Sequence, residues 1–409
     1  MINNECRICS KNDFYKYLDL GFTPPADQFR RKEQLIYPEE TYPLEVQLCN
    51  NCGLSQLSYT VSPEILYRND YPYESSITKT GDKHWTDFAN SIIDRFKLSE
   101  EDLVVDVGSN VGTLLSKFKV KNIKVQGVDP ATNIVLIAQT QGINTLCEFF
   151  NNSCVDKIIS TSSKAKIITA TNCFAHVDNL FEFMINIKNL LTDDGVFVFE
   201  SPHIKNLIAK NEYDTIYHEH LSYLSLKPLI SFAKKLNMNI FDVEENDIHG
   251  GSFRVFFSKS DQYEISPNVD KMIKSEEKSG IFDKAALNDF SNQVIVNKNR
   301  LMQLIYNLKM DNKKIVAVSA PAKGMTLLNY CGINAQTLDY VTEKSKLKIG
   351  RFTPGGHIPV FSDEMLLKDK PDYALLLAWN FADEIISNLS EFRNNGGKFI
   401  IPIPVPKII

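Results

Sequence analysis

The run Leu103-Val104-Val105-Asp106-Val107-Gly108-Ser109-Asn110-Val111-Gly112 constrains this chain more than any other ten residues. Four apolar residues around one carboxylate read as a strand buried on both faces, and such strands belong to parallel sheets covered by helices. A turn with two glycines follows and opens the helix start Thr113-Leu114-Leu115-Ser116-Lys117-Phe118. Glycine lets the backbone approach a ligand closely, and a helix N-terminus favours anionic groups. Further buried strands are expected over residues 125–129, 167–171 and 196–200, with helical patterns between them. A helical pattern also precedes the run, from 78 to about 98, with Trp85, Phe88, Ile92, Ile93 and Phe96 recurring at spacings of three and four. Strands alternating with helices predict a parallel α/β sheet.

A more charged stretch, about 258–299, carries a long helical pattern, after which the alternation resumes over 314–318, 337–341, 373–378 and 398–401. A chain of 409 residues, at about 150 per domain, has room for two to four domains. The expected division is an N-terminal metal module over 1–66, a central Rossmann-like α/β domain over 67–260 and a second Rossmann-like α/β domain over 261–409. Tyr71-Pro72-Tyr73 belongs to an aromatic, proline-broken link after the module.

The metal module is read from cysteines. Four of the eight form two pairs, Cys6/Cys9 and Cys49/Cys52, separated by residues 10–48. Paired CxxC knuckles suit tetrahedral thiolate coordination of zinc, and four thiolates leave no open position, so a structural zinc is expected. Gly53 follows the second knuckle where the backbone turns past the metal. The Met1-Ile2-Asn3-Asn4-Glu5 start has neither a basic region nor an apolar stretch, which points to a cytoplasmic address. No apolar run approaches the roughly 18 residues of a membrane span. A net charge of −5 and a zinc module without a basic cluster argue against a nucleic-acid partner.

At the glycine loop, the acidic residue before the first glycine suits an ammonium or hydroxyl group, unlike the GxGxxG loop that cradles a dinucleotide phosphate. The Asp106-x-Gly108-x-x-x-Gly112 pattern resembles the first motif of class I S-adenosylmethionine-dependent methyltransferases. Asp129, ending the next strand, is placed to accept both hydrogen bonds of a ribose diol, and Glu148-Phe149-Phe150-Asn151 offers a surface for an adenine ring.

Tyr217-His218-Glu219-His220 is the densest titratable cluster in the chain, and it follows the fifth strand of the expected sheet. Its histidines sit two apart rather than four, which disfavours a helical metal site, and one of them is expected to face a pocket. His176 lies just past the fourth strand. His249-Gly250-Gly251-Ser252 is either a close-approach turn for substrate or a plain hairpin turn.

Together these residues resemble the S-adenosylmethionine-dependent sugar C-methyltransferases, typified by those acting at C3 of nucleotide-linked 4-keto-deoxyhexoses. The likeness runs from the cysteines through Asp19-Leu20-Gly21-Phe22-Thr23-Pro24-Pro25-Ala26-Asp27 and Asp70-Tyr71-Pro72-Tyr73 to the motifs above. It continues in Ala322-Lys323-Gly324-Met325-Thr326-Leu327-Leu328-Asn329, Pro354-Gly355-Gly356-His357-Ile358-Pro359 and Leu377-Ala378-Trp379-Asn380. The resemblance implies that His220 is a general base that forms an enolate, with Glu219 orienting its ring. Tyr217 and His176 would stand at the oxyanion, and Tyr71 near the donor. Asp106, Gly108, Gly112, Asp129 and Phe149 would hold S-adenosylmethionine. His249, Gly250, Lys323 and Asn329 would contact the nucleotide sugar, with the protein acting as a monomer. Ser319-Ala320-Pro321 and Thr342-Glu343-Lys344-Ser345 depart from the family pattern and leave the nucleotide base open. Two rival readings are an O- or N-methyltransferase and a non-catalytic zinc- and nucleotide-binding interaction module.

Overall fold

The computed structural model describes residues 1–68, 70–75, 79–259 and 261–409, without the side chains of Lys79 and His249. Three sheets carry the fold. In the first, Phe14–Thr23, Tyr42–Cys49 and Ser55–Leu57 run antiparallel in order, and Ser222–Tyr223 adds a fourth strand from far along the chain.

Strand register assembles the metal site. Phe14, just beyond the first knuckle, lies opposite Cys49, and the turn after Cys49 brings Cys52 back towards Cys6. Gly53 makes that turn at φ +85°, donating its amide to the Cys49 carbonyl. All four Sγ atoms lie within 4.8 Å of one another, with Cys6–Cys52 and Cys9–Cys49 at 3.5 Å. A tetrahedron with Zn–S of about 2.3 Å has S–S edges of about 3.8 Å, so the set fits zinc. The charge within the set is uneven: the Cys52 thiol holds Cys6 down to about 5, while burial pushes Cys49 up to about 11. A divalent cation resolves that imbalance by stabilising every thiolate.

The second sheet has the order Thr145–Leu146, Lys124–Val128, Leu103–Val107, Ala165–Thr171, Leu191–Pro202, Ser252–Ser258, Asn239–Asn246. The first five strands are parallel. Val104, Ile167, Val196 and Val198 face a core with Trp85, Phe88 and Ile92 of the helix Lys79–Phe96. Their neighbours Leu103, Val105, Ile168, Phe197 and Phe199 face the opposite core. Two covered faces explain the unbroken apolar runs. The last two strands form an antiparallel hairpin that the expected parallel alternation did not include. Its turn uses Gly250 at φ +94° and Gly251 at φ +128°, so the His249-Gly250-Gly251-Ser252 segment makes a hairpin.

The third sheet orders Val360–Ser362, Val341–Glu343, Ile315–Val318, Tyr373–Leu376 and Lys398–Ile401 in parallel, with Lys407–Ile408 antiparallel at its edge. The charged stretch before it holds two helices, Pro267–Ser279 and Lys284–Met310, parted at Gly280 (φ +78°) with Asp283 capping the second. The first packs on the central sheet through Val269 and Met272. The second joins one apolar core with both outer sheets: Tyr17, Leu44 and Val46 of the first sheet, Leu287, Phe290 and Leu301 of the helix, Ile315 and Leu375 of the third. Among the described residues no helix is long and apolar enough to cross a membrane.

Metal analysis should return one tightly held zinc per chain, and chelation should lower the melting temperature. A folded, active protein free of metal would refute the assignment.

Candidate active site

In each parallel sheet the chain runs out along one side of its first strand and then returns to the other. This leaves a crevice at the carboxyl ends, where such folds bind ligands. In the central sheet the reversal falls between Leu103–Val107 and Ala165–Thr171, and in the third between Ile315–Val318 and Tyr373–Leu376. Residues following these strands line one shared cavity of about 540 Å³, closed by Asp27 and by residues from Thr60 to Tyr67.

The donor end is built at the central crevice. Gly108, at φ +72°, passes Cys173 so closely that a Cβ would lie 2.8 Å from the Cys173 side chain. Asp106 accepts from Thr169 Oγ1 at 2.6 Å, and burial pushes its carboxyl up to about 7 against that bond. Asp129 accepts the Asn110 and Ala131 amides at 2.9 Å each, one per oxygen, and burial raises it to about 6. Each oxygen keeps a lone pair for a ligand hydroxyl. Phe149 lines the cavity with the Arg68 guanidinium 5.7 Å from its ring. Asn133, on the helix Thr132–Thr140, bonds the Tyr71 amide and carbonyl at 3.1 and 2.8 Å. Asn110 of the loop bonds the Tyr73 carbonyl and the Ser75 amide at 3.1 and 2.8 Å, which holds this segment over the loop. Gly112 stands apart from the lining residues: it starts the helix Thr113–Lys119 at φ +80°, where a Cβ would strike Ile143 at 2.8 Å. It supports the loop by close packing.

The reaction end gathers His176, Tyr217, Glu219 and His220 on the cavity wall. His220 Nδ1 lies 2.7 Å from the Thr215 carbonyl, and its ring sits 4.0 Å from that of Tyr217 and 5.0 Å from that of His176. A carbonyl only accepts, so Nδ1 carries a proton and Nε2 is the basic nitrogen of the neutral tautomer. The ring's Nδ1 is thus oriented by a backbone carbonyl, where Glu219 was expected. Glu219 instead accepts from the Tyr71 hydroxyl at 2.9 Å, and burial, reinforced by Asp27, holds its carboxyl well above the usual range. His176 stacks on Tyr67 at 6.0 Å, and burial beside His220 pushes it well below the usual imidazole range. His218 points away, with Nε2 3.3 Å from the Tyr42 carbonyl and burial lowering it to about 4.

Of the four expected sugar-contacting residues, Lys323 lines the cavity, its ammonium 4.2 Å over the Trp379 ring. Asn329 instead bonds the Met325 and Pro354 carbonyls at 2.9 and 3.3 Å, and Gly355 packs against its amide. Gly250 abuts Glu212, where a Cβ would come within 2.4 Å of the carboxylate. The His249 side chain lies outside the described residues. Sequence reasoning missed Tyr67, Cys173 and the pair Asp27–Lys348. In that pair Lys348 Nζ lies 3.2 Å from Asp27 Oδ1 and 2.8 Å from the Ala320 carbonyl, fully within the protein. Asp27 was visible at the end of its motif, whereas Lys348 sits in a run of charges that reads as solvated.

A glycine turn at a switch point, one carboxyl just before it, another at the end of the next strand and an oriented imidazole nearby suit a methyltransferase site whose donor residues fit S-adenosylmethionine. Comparison with known proteins agrees. The chain matches models of a zinc binding domain over 6–67, a methyltransferase domain over 82–243 and a C-methyltransferase C-terminal domain over 247–404. The C-methyltransferase NovU of Streptomyces niveus is 34% identical over 407 residues, 99% of this chain and 97% of the relative. The chain belongs to this family of S-adenosylmethionine-dependent C-methyltransferases, with a zinc-binding module at its N-terminus. Among solved structures, a S-adenosylmethionine-dependent methyltransferase from Clostridium acetobutylicum ATCC 824 is 16% identical, covering 43% of this chain and 91% of its own, with a TM-score of 0.35. One from Archaeoglobus fulgidus is 15% identical over 43% of this chain and 93% of its own, with a TM-score of 0.34.

Asp129→Ala should weaken donor binding by about 1.5–3 kcal/mol, the scale of a lost charged hydrogen bond, and calorimetry reads this directly. Both donor-end carboxyls hold their protons more tightly folded than unfolded, so their stability contribution falls as pH rises through 6 and 7. Donor affinity has the opposite sign. Binding a cationic ligand needs carboxylates, so affinity should climb from about pH 5.5 to about pH 8 with proton release on binding. Titration in buffers of different ionisation enthalpy tests this.

Proposed function

We propose that the protein methylates a sugar carbon beside the ketone of a nucleotide-linked 4-keto-6-deoxyhexose, most specifically C3, with His220 as the base. The observation that carries the reading is the 2.7 Å contact of His220 Nδ1 with the Thr215 carbonyl on the cavity wall. A sugar C–H is not acidic until its neighbour is a ketone, whose oxygen takes up the charge as an enolate. His220 Nε2 receives that proton. The positive charge that develops on the ring is stabilised at Nδ1 by the Thr215 carbonyl. His176 stays neutral beside it and, with Tyr217, faces the developing oxyanion, where a well-placed donor contributes about 3 kcal/mol. Tyr71 joins the two ends: its backbone belongs to the segment held over the donor loop, and its hydroxyl bonds Glu219.

Bound S-adenosylmethionine supplies an electrophilic sulfonium methyl group. The chain supplies alignment, holding both reactants within one cavity. Membership of the C-methyltransferase family supports carbon over oxygen or nitrogen as the acceptor. Lys323 and Lys348, on the third sheet's side of the cavity, support an anionic nucleotide sugar. A ketone at C4 acidifies C3 and C5 alike. The preference for C3 rests on family resemblance and is read out by NMR of the product.

His220→Asn should bind donor and sugar normally and lose methyl transfer by roughly 100-fold or more, the usual size of a lost general base. His218→Asn should lose far less, because that ring is packed against Tyr42. Near-full activity in His220→Asn with an inactive His218→Asn would transfer the role. Incubation with labelled donor and a panel of 4-keto nucleotide sugars tests the acceptor class.

A further inference from the structure

The Leu377-Ala378-Trp379-Asn380 motif lies in the third-sheet half of the chain, and its tryptophan reaches the element that orients the base. Trp379 Nε1 donates to Asp214 Oδ2 at 2.7 Å. Asp214 is fully buried in the short helical turn Tyr213–Thr215, immediately before the residue whose carbonyl holds His220 Nδ1. The turn is braced on both sides by the same half of the chain. Tyr213 donates its hydroxyl to Asn297 Oδ1 at 2.9 Å, and Asn297 in turn bonds the Pro402 and Pro404 carbonyls at 2.9 Å. Thr326 Oγ1 donates to the Ile216 carbonyl at 3.0 Å. Thr215 itself closes the turn by donating its hydroxyl to the Glu212 carbonyl at 2.6 Å. Three side chains from three separate elements therefore grip residues 213, 214 and 216, leaving the carbonyl of 215 directed at the imidazole.

We infer that the Trp379–Asp214 hydrogen bond is a positioning device for His220, through which the C-terminal half sets the tautomer and basicity of the base. The inference rests on the reading of His220 as the base. Asp214 is a positioning residue and does not itself line the cavity. Its carboxylate is buried without a hydrogen bond from Lys323, whose ammonium acts on it through the field while stacking on Trp379. If the turn slackens, the Thr215 carbonyl moves off Nδ1, the imidazolium loses its acceptor and the ring is a weaker base in the wrong tautomer. Among the described residues, His176 and Tyr217 face His220, and Glu219 shares its cavity wall with the Asp27–Lys348 pair beyond. Among the described residues, those facing Asp214 are Lys323, Cys331 and, on its own turn, Glu212 and Tyr213. None of these groups is altered by a change at Trp379 that keeps the ring.

Trp379→Phe removes the N–H donor and keeps an aromatic ring beneath Lys323. It should lower kcat about tenfold, part of the 10²–10⁴ that a general base supplies, with donor affinity unchanged in calorimetry. The acid limb of the kcat–pH profile should move to lower pH, because an imidazolium with a loosened acceptor releases its proton more readily. Asp214→Asn, which keeps an acceptor for Trp379, should retain more of the rate than Asp214→Ala. Wild-type kcat and an unmoved acid limb in both Trp379→Phe and Asp214→Ala would overturn the positioning role. So would a parallel fall of kcat and donor affinity, the mark of general loosening. His220→Asn measured alongside separates the two claims. Full activity there removes the base and with it the positioning role, whereas an inactive His220→Asn beside a wild-type Trp379→Phe removes the positioning role alone.

Discussion

The apolar core around the helix Lys284–Met310 holds the outer sheets together, and the cavity exists because of it. Neither α/β sheet encloses a reaction site alone; each ends in a crevice open at the top. Leu287, Phe290, Val294 and Leu301 fix the first sheet to the third, and with that join the two crevices come to face each other. Asp27 and Lys348 are carried to the same seam from opposite ends of the chain. A buried pair of this kind adds little to stability against an apolar alternative, yet breaking one partner costs about 3–5 kcal/mol. It acts as a check on registration: the cavity wall is satisfied only when the N-terminal module and the C-terminal domain are both seated.

The two ends of the cavity use burial in opposite ways. At the donor end burial raises Asp106 and Asp129, carboxyls expected to regain their charge on binding a cationic donor. At the reaction end burial lowers His176, keeping a neutral ring beside His220, the base proposed above. One low-dielectric space thus raises a pair of carboxyls and lowers a histidine.

The parallel strands were legible because strands covered on both faces are apolar throughout. The run 398–401 coincides with Lys398–Ile401, and 373–378 begins with Tyr373–Leu376. The expected strand 337–341 ends where Val341–Glu343 begins, since Leu338 and Tyr340 are buried within a connecting turn and burial alone does not distinguish a turn from a strand. One long helix became two at Gly280 and Asp283, a C-terminal glycine and an N-cap acid that were present in the sequence. At the site, the turn in which the His220 amide bonds the Tyr217 carbonyl sends His218 and His220 in different directions, which strand alternation would not do, and the family likeness alone chose between them. Likeness did not distinguish touching a ligand from supporting the residue that does, which is why Gly112, Gly250 and Asn329 were expected at the cavity and lie in packing positions instead. Lys348 was illegible for a different reason: its burial depends on Asp27, more than three hundred residues away.

The strand Ser222–Tyr223, which completes the N-terminal sheet by pairing with Ser55 and Gln56, follows directly after the loop from Tyr217 to His220. During synthesis the cysteine-bearing strands leave the ribosome first, and domains begin to fold in that order. The edge at Ser55–Leu57 then waits with its backbone groups unpaired while the whole parallel core of the central sheet is made. Its partner arrives only after Tyr217 to His220 have emerged, so closing the oldest part of the fold and setting the reactive loop are one event in the life of the nascent chain.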